Sequence, residues 1–428
     1  MSRLSVKSYV HVSYALYLFF AIICVAVYFP IFSNGFLYHW DDQWMVLNKY
    51  TDGGWTVDNL WHIFTDFYGG QYGPFTELNY LIIYTFFGYD PFYFHLASLL
   101  WHIGCVCFVW KLLVSLLRIH GGMNEKSIYL ISFITTLLFA IHPMNVEPVA
   151  WISAVKIPIY AFFYLLGLLC YVHYVSSHKF RYYLFTIVCF VCSFLGKEQA
   201  VTFPLALLIV DWFSNRKMKS SEVWSEKIVF FIMALFFGLI TIFSQGISQN
   251  DTIYSLGKRL IFACYAIIEY ITKSLIPLKL NYLYPFPFLS DEDIPLKYYL
   301  YPIIVCCLLS WVVMYRKNRY IVLGLLLFFL NLIVSIHILP MSRHAIIADR
   351  YLYLSYVGIA FLIAYGIHIV WEKHKKRYQC LACIFLLIYS LYFSTYTYLY
   401  AQKWENTSSV KKYIKELIEQ RDKEKEIK

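Results

Sequence analysis

Two adjacent carboxylates stand where the first apolar stretch of the chain ends, in the run Tyr38-His39-Trp40-Asp41-Asp42. Charged groups beside apolar segments lose hydration free energy unless they are paired or solvated. Neighbouring side chains point in different directions on a helix or a strand, so we expect Asp41 and Asp42 to have different roles. One would face a cavity as a general base and the other would support it. The alternative is a solvated loop start in which one carboxylate caps a helix.

Two further polar runs interrupt the apolar sequence. His142 and Glu147 could bind a phosphate or orient a base, or they could satisfy helix ends. Lys197 and Glu198 would be costly at membrane depth unless partnered. They form either a neutral pair at the surface or part of a site that attracts phosphate.

A third run carries two arginines, Arg343 and Arg350, in a short loop. A guanidinium is always charged and contacts phosphate through two parallel hydrogen bonds, so either arginine could hold a phosphate. The alternative for Arg350 is a structural ion pair with Asp349. Aromatic side chains such as Trp40 and Tyr72 could stack on sugar rings, although membrane interfaces also collect aromatic residues.

Carboxylates, cations and aromatic residues in this combination fit an enzyme that uses a lipid-linked phosphate donor. A phosphate leaving group needs cations, whereas a hydroxyl acceptor needs one carboxylate base. No further ligand cluster accompanies the carboxylate pair in the sequence. We therefore predict neither a divalent metal nor another cofactor.

The composition defines the elements that must position these residues. Of the 428 residues, 60% are hydrophobic and 14% are charged, whereas a soluble domain carries about 25% charged residues. The mean hydropathy is +0.57. These values exclude a soluble enzyme, a disordered protein and a nucleic-acid binder. The eleven cysteines lie in or beside apolar segments, where they act as small hydrophobic residues. We predict an all-α polytopic membrane protein.

A spanning helix needs roughly 20 apolar residues, and we predict about eleven such spans. They cover residues 9–31, 91–117, 128–141, 157–176, 182–196, 199–213, 228–246, 297–315, 320–339, 351–370 and 379–398. The apolar stretch from Arg259 to Ile276 carries Glu269 and Lys273. We interpret it as an interfacial or re-entrant helix on the outer side.

Lysine and arginine gather in the short loops on one side of this arrangement. Cytoplasmic loops carry such an excess, so we predict a cytoplasmic N-terminus and an outer location for the polar segment 32–90. Loops longer than about 15 residues are usually functional, and this first outer loop is far longer. The net charge of +10 follows the topology and indicates no nucleic-acid partner.

Six short motifs in this order resemble the opening of the transmembrane-and-tetratricopeptide-repeat O-mannosyltransferases and their bacterial relatives. They are Trp40-Asp41-Asp42 followed by Asn48; Phe94-His95 near Trp101-His102; Phe139-Ala140-Ile141-His142-Pro143 with Glu147-Pro148-Val149-Ala150-Trp151; Lys197-Glu198-Gln199-Ala200-Val201-Thr202 leading to Asp211; Ser274-Leu275-Ile276-Pro277 before Tyr284-Pro285; and Ala348-Asp349-Arg350-Tyr351-Leu352-Tyr353. Together they cover residues 32 to about 405.

The resemblance implies the GT-C glycosyltransferase fold, with a membrane catalytic domain over 1–400. The residues after it, 401–428, carry opposite charges four positions apart and predict a charged helical outer tail. The resemblance further implies inverting transfer of a sugar from a polyprenyl-phosphate donor to a hydroxyl of a protein or glycan on the outer face. Asp41 would be the general base, with Asp42 orienting it.

The resemblance also implies that Arg350 or Arg343 holds the donor phosphate, with His142 and Lys197 nearby as further phosphate-binding residues. Separately from the resemblance, we predict that Trp40, Glu147 and Tyr72 contact the acceptor or the sugar.

This chain departs from the family pattern in two ways. Relatives continue into tetratricopeptide repeats, and no 34-residue helical pairs are visible here. Acceptor recognition by repeats is then absent or supplied by another protein. Relatives often carry an acidic residue after the basic residue that corresponds to Lys156, whereas Ile157 stands there in this chain, so we assign no role to Lys156 from the resemblance.

Two other functions remain as alternatives. A flippase or transporter of lipid-linked glycans would need charged residues along its spans, which are nearly free of charge. A non-catalytic glycan-binding scaffold would tolerate loss of both carboxylates. We expect a bacterial inner membrane rather than the endoplasmic reticulum, and membrane lipid as a partner.

Overall fold

A computed structural model describes residues 3–245, 254–287, 292–338, 345–373 and 375–426. This part of the chain forms α-helices and short 3-10 turns, with isolated β-bridges and no β-strand. The prediction of an all-α chain is confirmed.

The helices follow one another along the chain as α1 to α17. Their bounds are α1 Arg3–Tyr28, α2 Asp42–Met45, α3 Val57–Thr65, α4 Pro74–Phe87, α5 Pro91–His120, α6 Glu125–Ile141, α7 Val146–Ala150, α8 Lys156–Ser177, α9 Phe180–Gly196, α10 Phe203–Phe213, α11 Ser221–Gln245, α12 Leu256–Leu275, α13 Leu300–Met314, α14 Arg319–Leu332, α15 Tyr356–Lys373, α16 Lys376–Gln402 and α17 Thr407–Glu426.

Each of the eleven predicted spans overlaps a helix, but the bounds and lengths differ. In the described residues, seven helical segments are long and apolar enough to cross a membrane, or eight if the bent pair α6 and α7 forms one span. The helices α9, α10 and α14 have 17, 11 and 14 residues. A straight crossing needs about 20 residues, so these three helices are shorter than a typical span. The chain is a multi-pass membrane protein.

The segment 32–90 is folded into three helices, where the sequence predicted a polar loop. Thr56 caps α3 by accepting a hydrogen bond from the Asn59 amide at 3.1 Å. Pro74 begins α4, a position where its missing amide hydrogen costs nothing. Gly88 ends α4 with a positive φ of 61°, which glycine adopts without strain. At 14 residues, α4 is shorter than the apolar run that a span requires, so the sequence did not predict it as a helix.

The centre of the bundle is formed by α5, α6, α8 and α15. Trp110, Leu138 and Tyr164 are almost completely buried there. Because lipid is as apolar as these side chains, close packing rather than exclusion of water holds spanning helices together. Gly358 on α15 shows how close the packing is, since a Cβ there would lie 2.3 Å from the carbonyl oxygen of Gly324 on α14.

A sharp bend after α6 carries the chain across one end of the bundle. The helical segments on the two sides of His142 meet at an angle of 53°. Pro143 has no amide hydrogen and forces the preceding residue out of the helical region, so α6 ends at Ile141. The chain then forms α7 and the buried 3-10 turn Ile152–Ala154 before α8 begins.

The start of the tail lies against the loop that carries the carboxylate pair. The Asn34 side-chain amide donates to the carbonyl of Ala401 at 3.1 Å, and the Gly35 amide donates to the carbonyl of Glu405 at 2.8 Å. The helix α17 therefore begins at the same end of the bundle as Asp41. The cytoplasmic or outer location of that end stays a prediction.

The helix α12 begins three residues before Arg259, the first residue of the predicted interfacial or re-entrant helix. It does not appear among the described helices that are apolar enough to span. Glu269 and Lys273 form an ion pair on it, with 3.8 Å between Oε2 and Nζ. The Tyr270 hydroxyl also donates to the Ala348 carbonyl, which fixes α12 to the segment before α15.

Candidate functional site

Asp42 is completely buried and anchors the loop. One carboxylate oxygen accepts from the Leu37 amide at 2.7 Å. The other accepts from the Ser153 amide at 3.1 Å and from the Ser153 hydroxyl. Burial raises the pKa of Asp42 to about 6, although these hydrogen bonds oppose the shift. Asp42 thus ties the first loop to the turn before α8 and has no oxygen left for a substrate.

Asp41 is only half-buried, and its surroundings differ from those of its neighbour. Its Oδ1 accepts from the indole Nε1 of Trp44 at 3.1 Å. Burial raises the pKa of Asp41 above its ordinary value, while the Trp44 hydrogen bond and the charges of Lys156 and Arg350 lower it. Asp41 therefore has the accessible carboxylate that a general base requires.

Arg350 forms an ion pair with Glu147, a residue 203 positions away in sequence. Its guanidinium Nη1 contacts Glu147 Oε1, and its backbone amide donates to Oε2 at 2.7 Å. The Glu147 side chain is only 2% exposed, whereas 24% of the Arg350 side chain is exposed. Arg350 also lies over the ring of Trp151, 5.6 Å from its centroid. Both Glu147 oxygens are used in holding Arg350, which leaves none free for a sugar.

Asp349 is buried and turned away from its neighbour Arg350. Its Oδ1 accepts from the Tyr284 hydroxyl at 2.7 Å and its Oδ2 from the Tyr400 hydroxyl at 3.4 Å. Burial raises the pKa of Asp349 to about 8, and the nearby charge of Glu147 adds to the shift. The expected alternative, an ion pair between Asp349 and Arg350, does not form; the structural partner of Arg350 is Glu147.

Lys197 and His142 have separate contacts at the same end of the bundle. The Lys197 ammonium pairs with Glu198 at 3.3 Å and is almost completely buried. His142 Nδ1 accepts from the Met144 amide at 3.2 Å, while Nε2 donates to the Ser274 carbonyl at 3.2 Å. With both ring nitrogens satisfied, His142 stabilises the bend after α6 and offers no free donor to a phosphate.

The aromatic candidates flank the carboxylate pair at different places. Trp40 packs edge-on against Trp151, with 6.4 Å between ring centroids. Tyr72 donates its hydroxyl to the Phe64 carbonyl at 2.9 Å within the folded loop. Arg343 falls outside the residues that the structure describes.

Sequence reasoning missed Trp44 and Ser153, the partners of the carboxylate pair, and Glu77. Glu77 Oε2 accepts from the Asn48 side chain at 3.3 Å, and burial raises the pKa of Glu77 to about 7. The position of Asn48, six residues after Asp42 within the same motif, was the available signal. The charge of Lys156 acts on Asp41, although the sequence predicted no role for Lys156 because Ile157 departs from the family pattern.

Among the described residues, no three His, Cys, Asp or Glu side chains lie together so that they could hold a metal ion. Both carboxylate oxygens of Asp42 accept hydrogen bonds from the protein, and Asp41 accepts one from the Trp44 indole. The prediction that no metal is needed stays a prediction.

Together, the fold and the site define a multi-pass helical membrane protein with an accessible carboxylate beside cations at one end of its bundle. No family model matches the chain. It is 29% identical to protein O-mannosyl-transferase tmtc2 of Xenopus laevis over 204 residues, which are 44% of this chain and 23% of that protein. It is 28% identical to human protein O-mannosyl-transferase TMTC1 over 207 residues, or 42% of this chain and 22% of that protein.

These matches confirm the resemblance drawn from the six motifs, and they span less than a quarter of the length of the curated relatives. Among solved structures, a crystal structure of ArnT from Cupriavidus metallidurans bound to undecaprenyl phosphate is similar, with a TM-score of 0.40 and 12% identity. That likeness covers 93% of this chain and 78% of ArnT.

Proposed function

We propose that this chain is an inverting glycosyltransferase of the GT-C type that moves a sugar from a polyprenyl-phosphate donor to a hydroxyl acceptor. The observation that carries the proposal is the environment of Asp41. Its carboxylate is half-buried, oriented by the Trp44 indole, and acted on by the positive charges of Lys156 and Arg350. The similarity to O-mannosyl-transferases supports the same class of reaction.

The two neighbouring carboxylates have different tasks in this reaction. Asp41 takes the proton of the acceptor hydroxyl as its oxygen attacks the anomeric carbon of the donor. Asp42 touches no reacting atom and holds Asp41 in place through Leu37 and Ser153.

The donor bond breaks as the acceptor bond forms, and the bond electrons leave with the polyprenyl phosphate. The phosphate gains negative charge in this step, and fixed cations stabilise that charge more in the transition state than in the bound donor. Arg350 is held by Glu147 and Trp151, so its orientation requires no rearrangement when the donor binds. The attack comes from the face opposite the leaving phosphate, so the anomeric configuration inverts.

A donor screen with analysis of the product tests this function. Purified protein in nanodiscs is given polyprenyl phosphates that carry different hexoses, together with peptide and glycan acceptors. We expect release of polyprenyl phosphate with one donor class and a product of inverted anomeric configuration. A retained configuration would contradict the mechanism. Passage of intact lipid-linked glycan across the bilayer without cleavage would instead identify a flippase, and binding without either would identify a scaffold.

A further inference from the structure

Lys156 belongs to the same piece of backbone that anchors the carboxylate pair. It is the first residue of α8 and follows Ser153, the partner of Asp42, by three positions. The turn between them, Ile152–Ala154, is buried. The position of the Lys156 backbone is therefore fixed relative to the loop that carries Asp41.

The ammonium group of Lys156 has a neutral partner. Its Nζ donates to Oε1 of Gln71 at 2.5 Å. No carboxylate oxygen of the described residues lies within 4.0 Å of this Nζ. A half-buried cation loses hydration, and an amide oxygen compensates for that loss less well than an anion does.

The two other cations near Lys156 already have anionic partners. Arg350 is paired with Glu147, and Lys197 is paired with Glu198 at 3.3 Å. The charges of both cations act on Lys156, as do those of the carboxylates Glu198 and Asp41, so three positive groups and Asp41 lie in one region. Lys156 is therefore the one of these three cations whose charge is not already compensated by a carboxylate in direct contact.

We propose that Lys156 is a donor-binding residue whose ammonium contacts the phosphate of the lipid-linked sugar, with Gln71 as its partner before the donor enters. This inference rests on the proposed function and names a cation that the sequence motifs had left aside. An ammonium group has three donors, so it can turn from an amide oxygen to a phosphate oxygen by side-chain rotation alone.

The segment that presents Gln71 is suited to releasing this contact. Tyr68 and Gln71 form an isolated antiparallel bridge around Gly69 and Gly70, whose φ angles are 56° and 71°. Glycine adopts such angles without strain. The tight turn is held by backbone hydrogen bonds between Tyr68 and Gln71, so it does not depend on the Gln71 side chain. The Gln71 side chain is exposed and can leave Lys156 without unfolding the turn.

Binding of undecaprenyl phosphate, compared with undecaprenol, tests the proposal without requiring turnover. Lys156→Gln is expected to weaken binding of the phosphate by about 10- to 100-fold, as expected for loss of a hydrogen bond to a charged group, and to leave binding of the alcohol unchanged. Lys156→Arg keeps the charge and is expected to retain most of the preference for phosphate. Lys49→Gln is the matched control, because it removes an exposed cation from the segment 32–90 that also contains Gln71.

In the transfer assay, Lys156→Gln is expected to raise the KM for the donor by a similar factor and to leave the KM for the acceptor unchanged. Equal binding of the phosphate by wild type and Lys156→Gln would overturn the proposal even if the enzyme is active. A wild type that binds the phosphate through Lys156 but transfers no sugar would uphold this inference and contradict the proposed function. If Lys156→Gln does not fold, Lys156→Arg tests the proposal instead. A substantial loss of the preference for undecaprenyl phosphate over undecaprenol in Lys156→Arg would contradict a contact that depends on charge.

Discussion

The indole nitrogen of Trp44 donates a hydrogen bond to Oδ1 of Asp41 at 3.1 Å, and Gly69 lies directly against the Trp44 ring. A Cβ at Gly69 would be 2.2 Å from the ring atom Cζ3. The turn around Gly69 thereby fixes the indole, and the indole fixes the carboxylate. The orientation of the proposed base depends on a glycine 28 residues away in the sequence.

Gly69→Ala is expected to lower kcat by about tenfold or more, because the new methyl group must displace Trp44 from Asp41 and a small misplacement of a catalytic group is costly. Gly54→Ala is the matched control. Gly54 also has a positive φ, 70°, but a Cβ there meets nothing within 4 Å. Both variants lose about 1 kcal/mol of stability from backbone strain, which thermal unfolding would measure. Equal kcat values for the two variants would contradict the positioning role of Gly69.

The pH dependence of transfer should report the raised pKa of Asp41. A general base works only when deprotonated, so kcat/KM is expected to fall as the pH drops through a pKa above the ordinary aspartate value. The Trp44 hydrogen bond favours the charged form, so Trp44→Phe should raise the Asp41 pKa and move the acidic limb to higher pH. Trp61→Phe, which alters an exposed tryptophan of the same segment 32–90, should leave the limb in place. An acidic limb that does not move in Trp44→Phe would argue against Asp41 as the titrating group.

Replacing Asp42 should lower the stability of the protein, whereas replacing Asp41 should not. Asp42→Asn replaces one accepting oxygen by an amino group, which leaves either the Leu37 or the Ser153 amide without an acceptor. We expect a loss of about 1–3 kcal/mol, seen as a lower melting temperature in detergent. Ser153→Ala removes only the hydroxyl contact and should destabilise less. Asp41→Asn can still accept from Trp44 and should melt like wild type; melting of Asp42→Asn at the wild-type temperature would contradict its anchoring role.

The fold could be predicted from the sequence where a single apolar run forms a single helix. The positions of α5, α8 and α16 follow directly from runs of about 20 apolar residues. The helices of the segment 32–90 could not be found this way, because α2, α3 and α4 have only 4, 9 and 14 residues and none contains the long apolar run of a span.

Residues that are adjacent in the sequence have different partners at this site, which could not be predicted from their adjacency. Asp349 and Arg350 are adjacent, yet they lie on a 3-10 turn where successive side chains diverge by about 120°. Arg350 consequently meets Glu147 from α7, and Asp349 meets two tyrosines. Divergence of neighbouring side chains also predicts different surroundings for Asp41 and Asp42. In the structure the two carboxylates do have different hydrogen-bond partners.

The measurement that tests the central claim most directly is donor turnover by Asp41→Asn. Release of polyprenyl phosphate is followed for wild type, for Asp41→Asn and for Asp58→Asn, which alters a carboxylate of the same segment whose side chain is 88% exposed. We predict that Asp41→Asn lowers kcat by about 10²- to 10⁴-fold while Asp58→Asn matches wild type. Full turnover by folded Asp41→Asn would show that Asp41 is not the base.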